Sequence, residues 1–506
     1  MKQLLFLCLG LSLFASLALA APRVSLRYFI GDVSQQDFHW IGGDLVQQRV
    51  EGDTTFWTVA LEGEADFSVE ALSVSEGPLT RWSFTFSNAE PDTTISEIAC
   101  GLLENVKPGG SWEGARLLWP SLYQGALITA LGDQTAFEEE CRIACKGVPY
   151  PTGLYQGDLC LPFFCQLGGG HTVGMRIADP THELVRLSGQ RSEEGLDYSF
   201  SACPKVRTGQ SWSFGEVEVF DYPFEDWHPI ADRHREWLEA QGFSPSQPRD
   251  GDVATFSYGR WDPAKPAEVI AWATALGAQD VCLWLDLYGR GDQYYPCYFP
   301  RPDDGITGMT AKLDELRAAG LHPYFYTNGY LLSPLQTHED ALEWRAEFPD
   351  QYPEHVAQGD VGYAQTVAEF RKGYDFAGDW LAEPGAILPL RVRRADFYWG
   401  EHPMYFWHGR PFWAACVASP EWRKLFKDTA RLHGEMGAGG IFIDQVSAIA
   451  PEFCSAAGHG HDEDTFGFWN RAYLDLLAEV KATGEALQPG FFIEVEGATE
   501  IGRAHV

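Results

Sequence analysis

Apolar and polar residues alternate with period two in the first part of the chain and with a helical period in the second. Thr55–Leu61 and Arg81–Ser87 alternate as half-buried strands do, and Trp212–Phe214 and Val217–Phe220 read as two further short strands. Gly, Pro, Asn and Asp clusters separate these runs, and helical periodicity is nearly absent before residue 225. The pattern predicts a β-sandwich over residues 21–225. Residues 226–250 read as a linker, with a short helix over Ile230–Gln241 followed by Ser244-Pro245-Ser246-Gln247-Pro248.

From residue 251 strands and amphipathic helices alternate. Val253–Tyr258, Asp280–Asp286, His322–Asn328, Gly440–Asp444 and Gly490–Glu496 are the expected strands. Val269, Ile270, Ala273 and Leu276 mark one helix that Gly277 closes, and Leu313, Leu316 and Ala319 mark another that ends at Gly320. Ser419 is set to cap a third, with Pro420 in its first turn and Gly437 at its end. Phe468, Trp469, Ala472, Tyr473, Leu476, Leu477 and Val480 mark a fourth. Such alternation implies parallel strands with right-handed crossovers. Polar residues recur at strand C-terminal ends (Tyr258, Asp286, Asn328, Asp444, Glu496), where a (β/α)8 TIM-type barrel keeps its chemistry. No Gly-rich phosphate loop follows the first strand, which disfavours a dinucleotide fold.

The barrel expected over 251–499 is partial. The rhythm breaks over about 329–418, a stretch long enough to be functional or to hold a small structure of its own. Its Trp399, Tyr405, Trp407 and Trp413 are placed to line a substrate cleft. Only five strands precede Glu500–Val506, which reads as a non-native tail, so the barrel is expected to be C-terminally truncated, short of the eight units of a full one.

Residues 1–20 have a basic start at Lys2, an apolar run over Leu4–Leu19 and a small-x-small pattern at Ala18 and Ala20, the marks of a signal peptide. The expected location is secreted or periplasmic, and no later stretch is long and apolar enough for a membrane span. The formal charge of −34 argues against nucleic acid, anionic membranes and polyanionic substrates as partners. Aromatic residues make up 14% of the chain, and such rings stack well on sugar faces. Cys141, Cys145, Cys160 and Cys165 are close enough in sequence to bridge, which export permits. Nothing in the sequence sets the oligomeric state.

Asp444, in GIFIDQ, ends an apolar strand, and a carboxylate there needs a use or a partner. Its candidate role is nucleophile at an anomeric carbon. Glu496, in FFIEVEG, is the candidate general acid/base, and Glu494 shares its face one layer deeper, placed to hold an Arg or a water. Asp286 with Trp284, Asn328 with Tyr326, and His461 are candidates for binding sugar hydroxyls. The segment Cys454-x4-His459-Gly460-His461-Asp462 has zinc-binding residue types, but its spacing suits loop hydrogen bonding equally, so neither a metal nor a cofactor is assigned. Serine-hydrolase and zincin motifs are absent.

The run GIFIDQ, Cys454, HGH, FWNRAYLDLLAEV and FIEVEG resembles domain of unknown function family 6259 over roughly residues 250–499. That family looks like glycoside hydrolases. A broader likeness is to the alpha-amylase clan and the endo-alpha-N-acetylgalactosaminidases. It implies a nucleophilic Asp ending strand four, an acid/base Glu ending strand five and an insertion after strand three; Asp444, Glu496 and 329–418 match that order. The clan's Arg two residues before the nucleophile is Phe442 here. The expected function is a retaining glycoside hydrolase acting on a carbohydrate. The alternative is a non-catalytic carbohydrate-binding or cell-surface protein on a barrel scaffold.

Overall fold

The computed structural model describes residues 22–31, 38–63, 66–121, 125–155, 158–242, 255–258, 266–283, 305–332, 404–407, 410–446, 448, 454, 456, 458–461 and 468–496. The expected signal peptide over 1–20, residues 243–250 of the expected linker over 226–250 and the expected tail over 500–506 lie outside these residues.

The first part is a 15-stranded antiparallel sheet. Its strands are β1 (Arg23–Ile30), β2 (Phe38–Glu51), β3 (Thr54–Leu61), β4 (Phe67–Glu76), β5 (Leu79–Asn88), β6 (Thr93–Val106), β7 (Arg116–Trp119) and β8 (Ala126–Ile128). Helix α1 (Gln134–Ala144) follows, then β9 (Thr152–Tyr155), β10 (Phe163–Gly168), β11 (His171–Ala178), β12 (Val185–Arg191), β13 (Leu196–Ala202), β14 (Val206–Arg207) and β15 (Gln210–Tyr222). The sheet order is β8-β7-β10-β11-β15-β5-β4-β3-β2-β1-β6-β13-β12-β9, with β14 on β6. Six strand spacings of ~4.8 Å separate β5 from β13 within the sheet. Yet Phe200 of β13 lies 5.8 Å from Phe84 of β5 and 5.0 Å from Phe214 of β15, and Tyr198 lies 4.3 Å from Phe164 of β10. The sheet therefore folds over on itself and closes an aromatic core between its own ends.

Two details differ from the sequence reading. Trp212–Phe214 and Val217–Phe220 form one strand, β15, joined through a register shift against β5 between Phe214 and Val217. Gly215 sits at that shift, where a Cβ would meet the Asp179 backbone at 2.9 Å. Helix α1 was hidden because only Phe137 and Cys141 face the core, too few for a visible helical period. Asp133 starts it by accepting from the Ala136 amide.

Helix α2 (His228–Ala240) is tied to the sheet by charge. Glu218 of β15, fully buried, accepts from Arg176 Nε of β11 at 2.7 Å and from Arg233 Nε of α2 at 2.6 Å. Burial pushes the Glu218 carboxyl up, but the hydrogen bonds and charges of Arg233 and Arg176 outweigh it and hold it below the usual range.

The second part holds β16 (Thr255–Tyr258), α3 (Pro266–Leu276), β17 (Asp280–Leu283), α4 (Gly305–Ala318) and β18 (His322–Asn328). Then come β19 (Leu331–Leu332), β20 (Met404–Trp407), β21 (Arg410–Ala414), α5 (Pro420–Met436), β22 (Gly440–Asp444), α6 (Phe468–Glu485) and β23 (Phe492–Val495). Strands β16, β17, β18, β22 and β23 form a parallel sheet in sequence order, with no reversal. Helix α3 contacts α4, α4 contacts α5, and α5 contacts α6, so the four helices share one face of the sheet. That face is apolar: Phe325, Ile441, Ile443 and Ile493 are buried. The expected insertion contributes β19–β21, a small antiparallel sheet of order β19-β21-β20. Gly437 closes α5 in the left-handed region, φ 93°, as its sequence position predicts. Ser419 stands at the N-cap, but its hydroxyl donates to Glu421. Arg471 of α6 donates to the Thr181 carbonyl at 2.7 Å, linking the helices to the β-rich part. No helix among the described residues is long and apolar enough to cross a membrane.

Because Glu218 holds two arginines from two elements, Glu218→Gln is expected to cost about 3–5 kcal/mol of stability, read as a lower urea midpoint. The wild-type contribution is present above the ordinary glutamate pKa of ~4.3 and is lost as pH falls through the depressed folded value; the mutant should lack this acid sensitivity.

Candidate functional site

The face of the parallel sheet away from the helices carries polar side chains at alternate positions. On β18 these are Tyr324, Tyr326 and Asn328; on β22, Asp444, with the apolar ring of Phe442 two positions before it on the same face; on β23 and the residue after it, Glu494 and Glu496. The strand register makes them meet. Phe442 pairs with Glu494 and Ile443 with Val495, so Asp444 and Glu496 fall next to each other at the C-terminal ends.

Their carboxyls are in hydrogen-bond contact. Asp444 also accepts from the Tyr326 hydroxyl and from Asn328 Nδ2 at 3.2 Å. Asn328 is held in that orientation because its Oδ1 accepts the Tyr330 and Leu331 amides at 3.0 and 2.7 Å. Glu496 accepts the Gln445 amide at 3.1 Å. Gln445 has φ +64°, rare for a residue with a side chain, and this turn aims its N–H back at the acids. Burial pushes the Asp444 carboxyl up to about 7, the adjoining Glu496 carboxyl adds to the rise, and the Tyr326 hydroxyl and Gln445 amide oppose it.

Glu494 lies one layer below. Its carboxyl accepts from Tyr324, and burial raises its pKa. The expected Arg or water partner is thus a tyrosine hydroxyl. Tyr324 belongs to β18, which is not a neighbour of β23, and its ring also meets Phe492 at 4.8 Å. Side chains of the two strands converge over β22, as they do on the concave side of a curved sheet. Cys282 of β17 joins this layer, hydrogen-bonded to Tyr324.

The loops are pinned to the same place. Gly329 donates to the Asp444 carbonyl at 2.9 Å, and its own carbonyl faces the Tyr473 hydroxyl of α6 at 3.4 Å. A Cβ on Gly329 would meet Ile443 and Val446 at 2.7 and 2.8 Å, so glycine is required by close approach.

Asp444, Glu496, Glu494, Asn328 and Tyr326 are thus brought together, while Asp286 and Trp284 lie outside the described residues. Trp399 does also; Tyr405, Trp407 and Trp413 belong to the antiparallel pair β20–β21. His461 faces a different group: its Nε2 lies 3.4 Å from Cys416 Sγ, and its ring stacks on Phe468 at 3.9 Å. Sequence reasoning missed Tyr324, although the alternation Tyr324-x-Tyr326-x-Asn328 carried the signal. It also missed Gln445, whose backbone rather than side chain is used, and Cys416, whose partners lie far along the chain. The described cysteines carry thiols, without the local bridges that their spacing allowed.

A model of the family described as Domain of unknown function (DUF6259) matches residues 393–501. Among solved structures, the chain is similar to the ligand-free alpha-N-acetylgalactosaminidase NagBb from Bifidobacterium bifidum, at 13% identity and TM-score 0.58, over 96% of this chain and 78% of that one. The same enzyme in its GalNAc complex matches at 12% identity and TM-score 0.56, over 96% and 76%. The GH36 alpha-galactosidase AgaA from Geobacillus stearothermophilus matches at 9% identity and TM-score 0.52, over 95% of this chain. This chain spans 62% of the length of AgaA. At these identities the likeness is one of fold. No curated protein matches the chain in sequence.

Two substitutions test the electrostatics directly. Tyr326→Phe removes a donor to the carboxylate and is expected to raise the Asp444 pKa above about 7. Glu496→Gln removes the neighbouring acid and is expected to lower it. Carboxyl-selective infrared or carbon-13 titration of the full chain reads both shifts; a pKa unmoved by either change would contradict the contact.

Proposed function

We propose that the parallel sheet is part of the wall of a (β/α)8 barrel and that Asp444 and Glu496 form the acid pair of an exported glycoside hydrolase acting on a glycan. Sequence-ordered parallel strands with helices on one face support the barrel, because a doubly wound sheet reverses its strand order and places helices on both faces. The position of the pair, at the strand C-termini over a polar face, supports the active centre. The single observation that carries the reading is the contact of the two carboxyls, with Asp444 raised to about 7.

Two carboxyls this close share a proton rather than ionise together. A retaining glycosidase needs that stoichiometry: one ionised nucleophile and one protonated acid. Asp444, oriented by Tyr326 and Asn328, acts as the nucleophile once the proton it holds has passed to Glu496; Glu496, half-buried and one methylene longer, is the acid/base. Retaining pairs stand ~5–5.5 Å apart around the anomeric carbon. Contact is shorter, so the proposed reaction requires the two carboxyls to separate when a sugar binds between them. Tyr324 and Glu494 line the floor beneath. The fold likeness to an alpha-N-acetylgalactosaminidase and an alpha-galactosidase makes alpha-linked N-acetylgalactosamine and galactose the substrate classes to assay first.

The test is turnover of aryl glycosides and glycans by the full-length protein, with the anomer of the first product read by proton NMR. Asp444→Asn is expected to lower kcat by ~10³-fold or more. Glu496→Gln should lose poor leaving groups far more than activated aryl ones. The value of about 7 belongs to the pair, which keeps its single proton below that pH and loses it above. Accordingly kcat/KM falls as pH rises through about 7, and Tyr326→Phe moves that limb to higher pH. Wild-type turnover in both acid variants ends the proposal.

A further inference from the structure

Apart from the acid pair, and sharing no residue with it, four zinc-type donors converge. Cys416 follows β21, and Cys454, His459 and His461 come from the segment after β22. One donor atom from each lies within 4.8 Å of all the others. Cys416 Sγ lies 3.4 Å from His461 Nε2, and Cys454 Sγ lies 3.5 Å from His459 Nδ1. Around a tetrahedral zinc ion, with bonds of ~2.3 Å to sulfur and ~2.0–2.1 Å to nitrogen, the edges measure ~3.8 Å for S···S, ~3.6 Å for S···N and ~3.3 Å for N···N. Both measured edges fit, and the remaining ones are bounded by 4.8 Å.

We propose that Cys416, Cys454, His459 and His461 bind one structural Zn²⁺. The chemistry of the set favours zinc: two soft thiolates and two imidazoles in a closed four-donor arrangement match structural sites rather than the oxygen-rich shells of calcium or magnesium. Burial agrees, since Cys416, Cys454 and His459 are buried and only His461 is half-buried. Support around the donors agrees too. Phe468 stacks on His461 at 9° between ring planes and fixes that ring with Nε2 turned inward. With four protein donors the ion has no open position, so its role is to staple two chain segments. One is the exit of the β19–β21 insertion into α5; the other is the loop that leaves Asp444. The Cys416-to-Cys454 separation in sequence, which spans all of α5 and β22, is why no compact motif announces the site. The site is independent of the hydrolase reading.

The competing state is a Cys416–Cys454 disulfide, which an oxidising compartment permits. The full chain, produced with zinc in the medium and purified without chelator or metal-affinity resin, is expected to carry about one zinc per chain by plasma mass spectrometry. Cys416→Ser and His459→Ala are expected to bring it near zero. Should either variant fail to fold, the wild-type protein decides: stripped with dipicolinate and titrated with Co²⁺, it should develop the thiolate charge-transfer and intense visible bands of a tetrahedral S₂N₂ site. Alkylation mapping should find Cys416 and Cys454 unbridged and protected until the metal is removed. Zinc-free wild type with no cobalt spectrum, zinc retained by the folded variants, or a mapped Cys416–Cys454 disulfide would each overturn the proposal.

Discussion

Two acidic side chains held together at the ends of adjacent parallel strands set the character of this molecule. A carboxylate at the end of an apolar strand is costly unless it is hydrogen-bonded, neutralised or exposed. Asp444 meets that demand through Tyr326, Asn328 and a raised pKa beside the Glu496 carboxyl, which favours its neutral form. None of these partners is adjacent in sequence. They meet because the β18–β22 register pairs Asn328 with Asp444 and the β22–β23 register brings Glu496 alongside. A slip of one residue in either strand would turn an acid into the helix-facing layer, where Ile443 and Ile493 now sit.

The two faces of the parallel sheet divide the work. Helices α3–α6 cover one face with buried apolar residues and leave the other to tyrosines, acids, a cysteine and the rings of Phe442 and Phe492. On that second face the side chains converge across a strand, as Tyr324 does with Phe492 and Glu494. Convergence lowers solvation, and lowered solvation raises the acids. The electrostatics of the site are thus a consequence of the sheet's curvature and of its one-sided helical cover.

Connections that leave the site are anchored rather than loose. Gly329 passes so close to Ile443 that only glycine fits, and it ties the exit of β18 to the Asp444 backbone and to Tyr473 of α6. The thiol–imidazole group does the same for the exit of the insertion and the loop after β22. Across the molecule, Glu218 and its two arginines perform the equivalent task for α2 on the antiparallel sheet. In each case a few polar or steric contacts position a segment whose own sequence has no strong structural preference.

The sequence by itself determined the strand–helix alternation, the termini of β18 and β22, the glycine end of α5 and the placement of Asp444 and Glu496 at strand ends, because these follow from local periodicity and capping. It also carried the family likeness over GIFIDQ to FIEVEG, within the stretch that the family model matches. Tertiary structure alone decided the rest. It folded one continuous sheet onto itself, merged two apparent strands into β15 around Gly215, and ordered α1 from only two inward apolar residues. It placed Tyr324 on Glu494 and His461 beside Cys416. These arrangements depend on residues far apart along the chain. Their distances are set by strand order and register, which no local pattern of hydrophobic positions encodes.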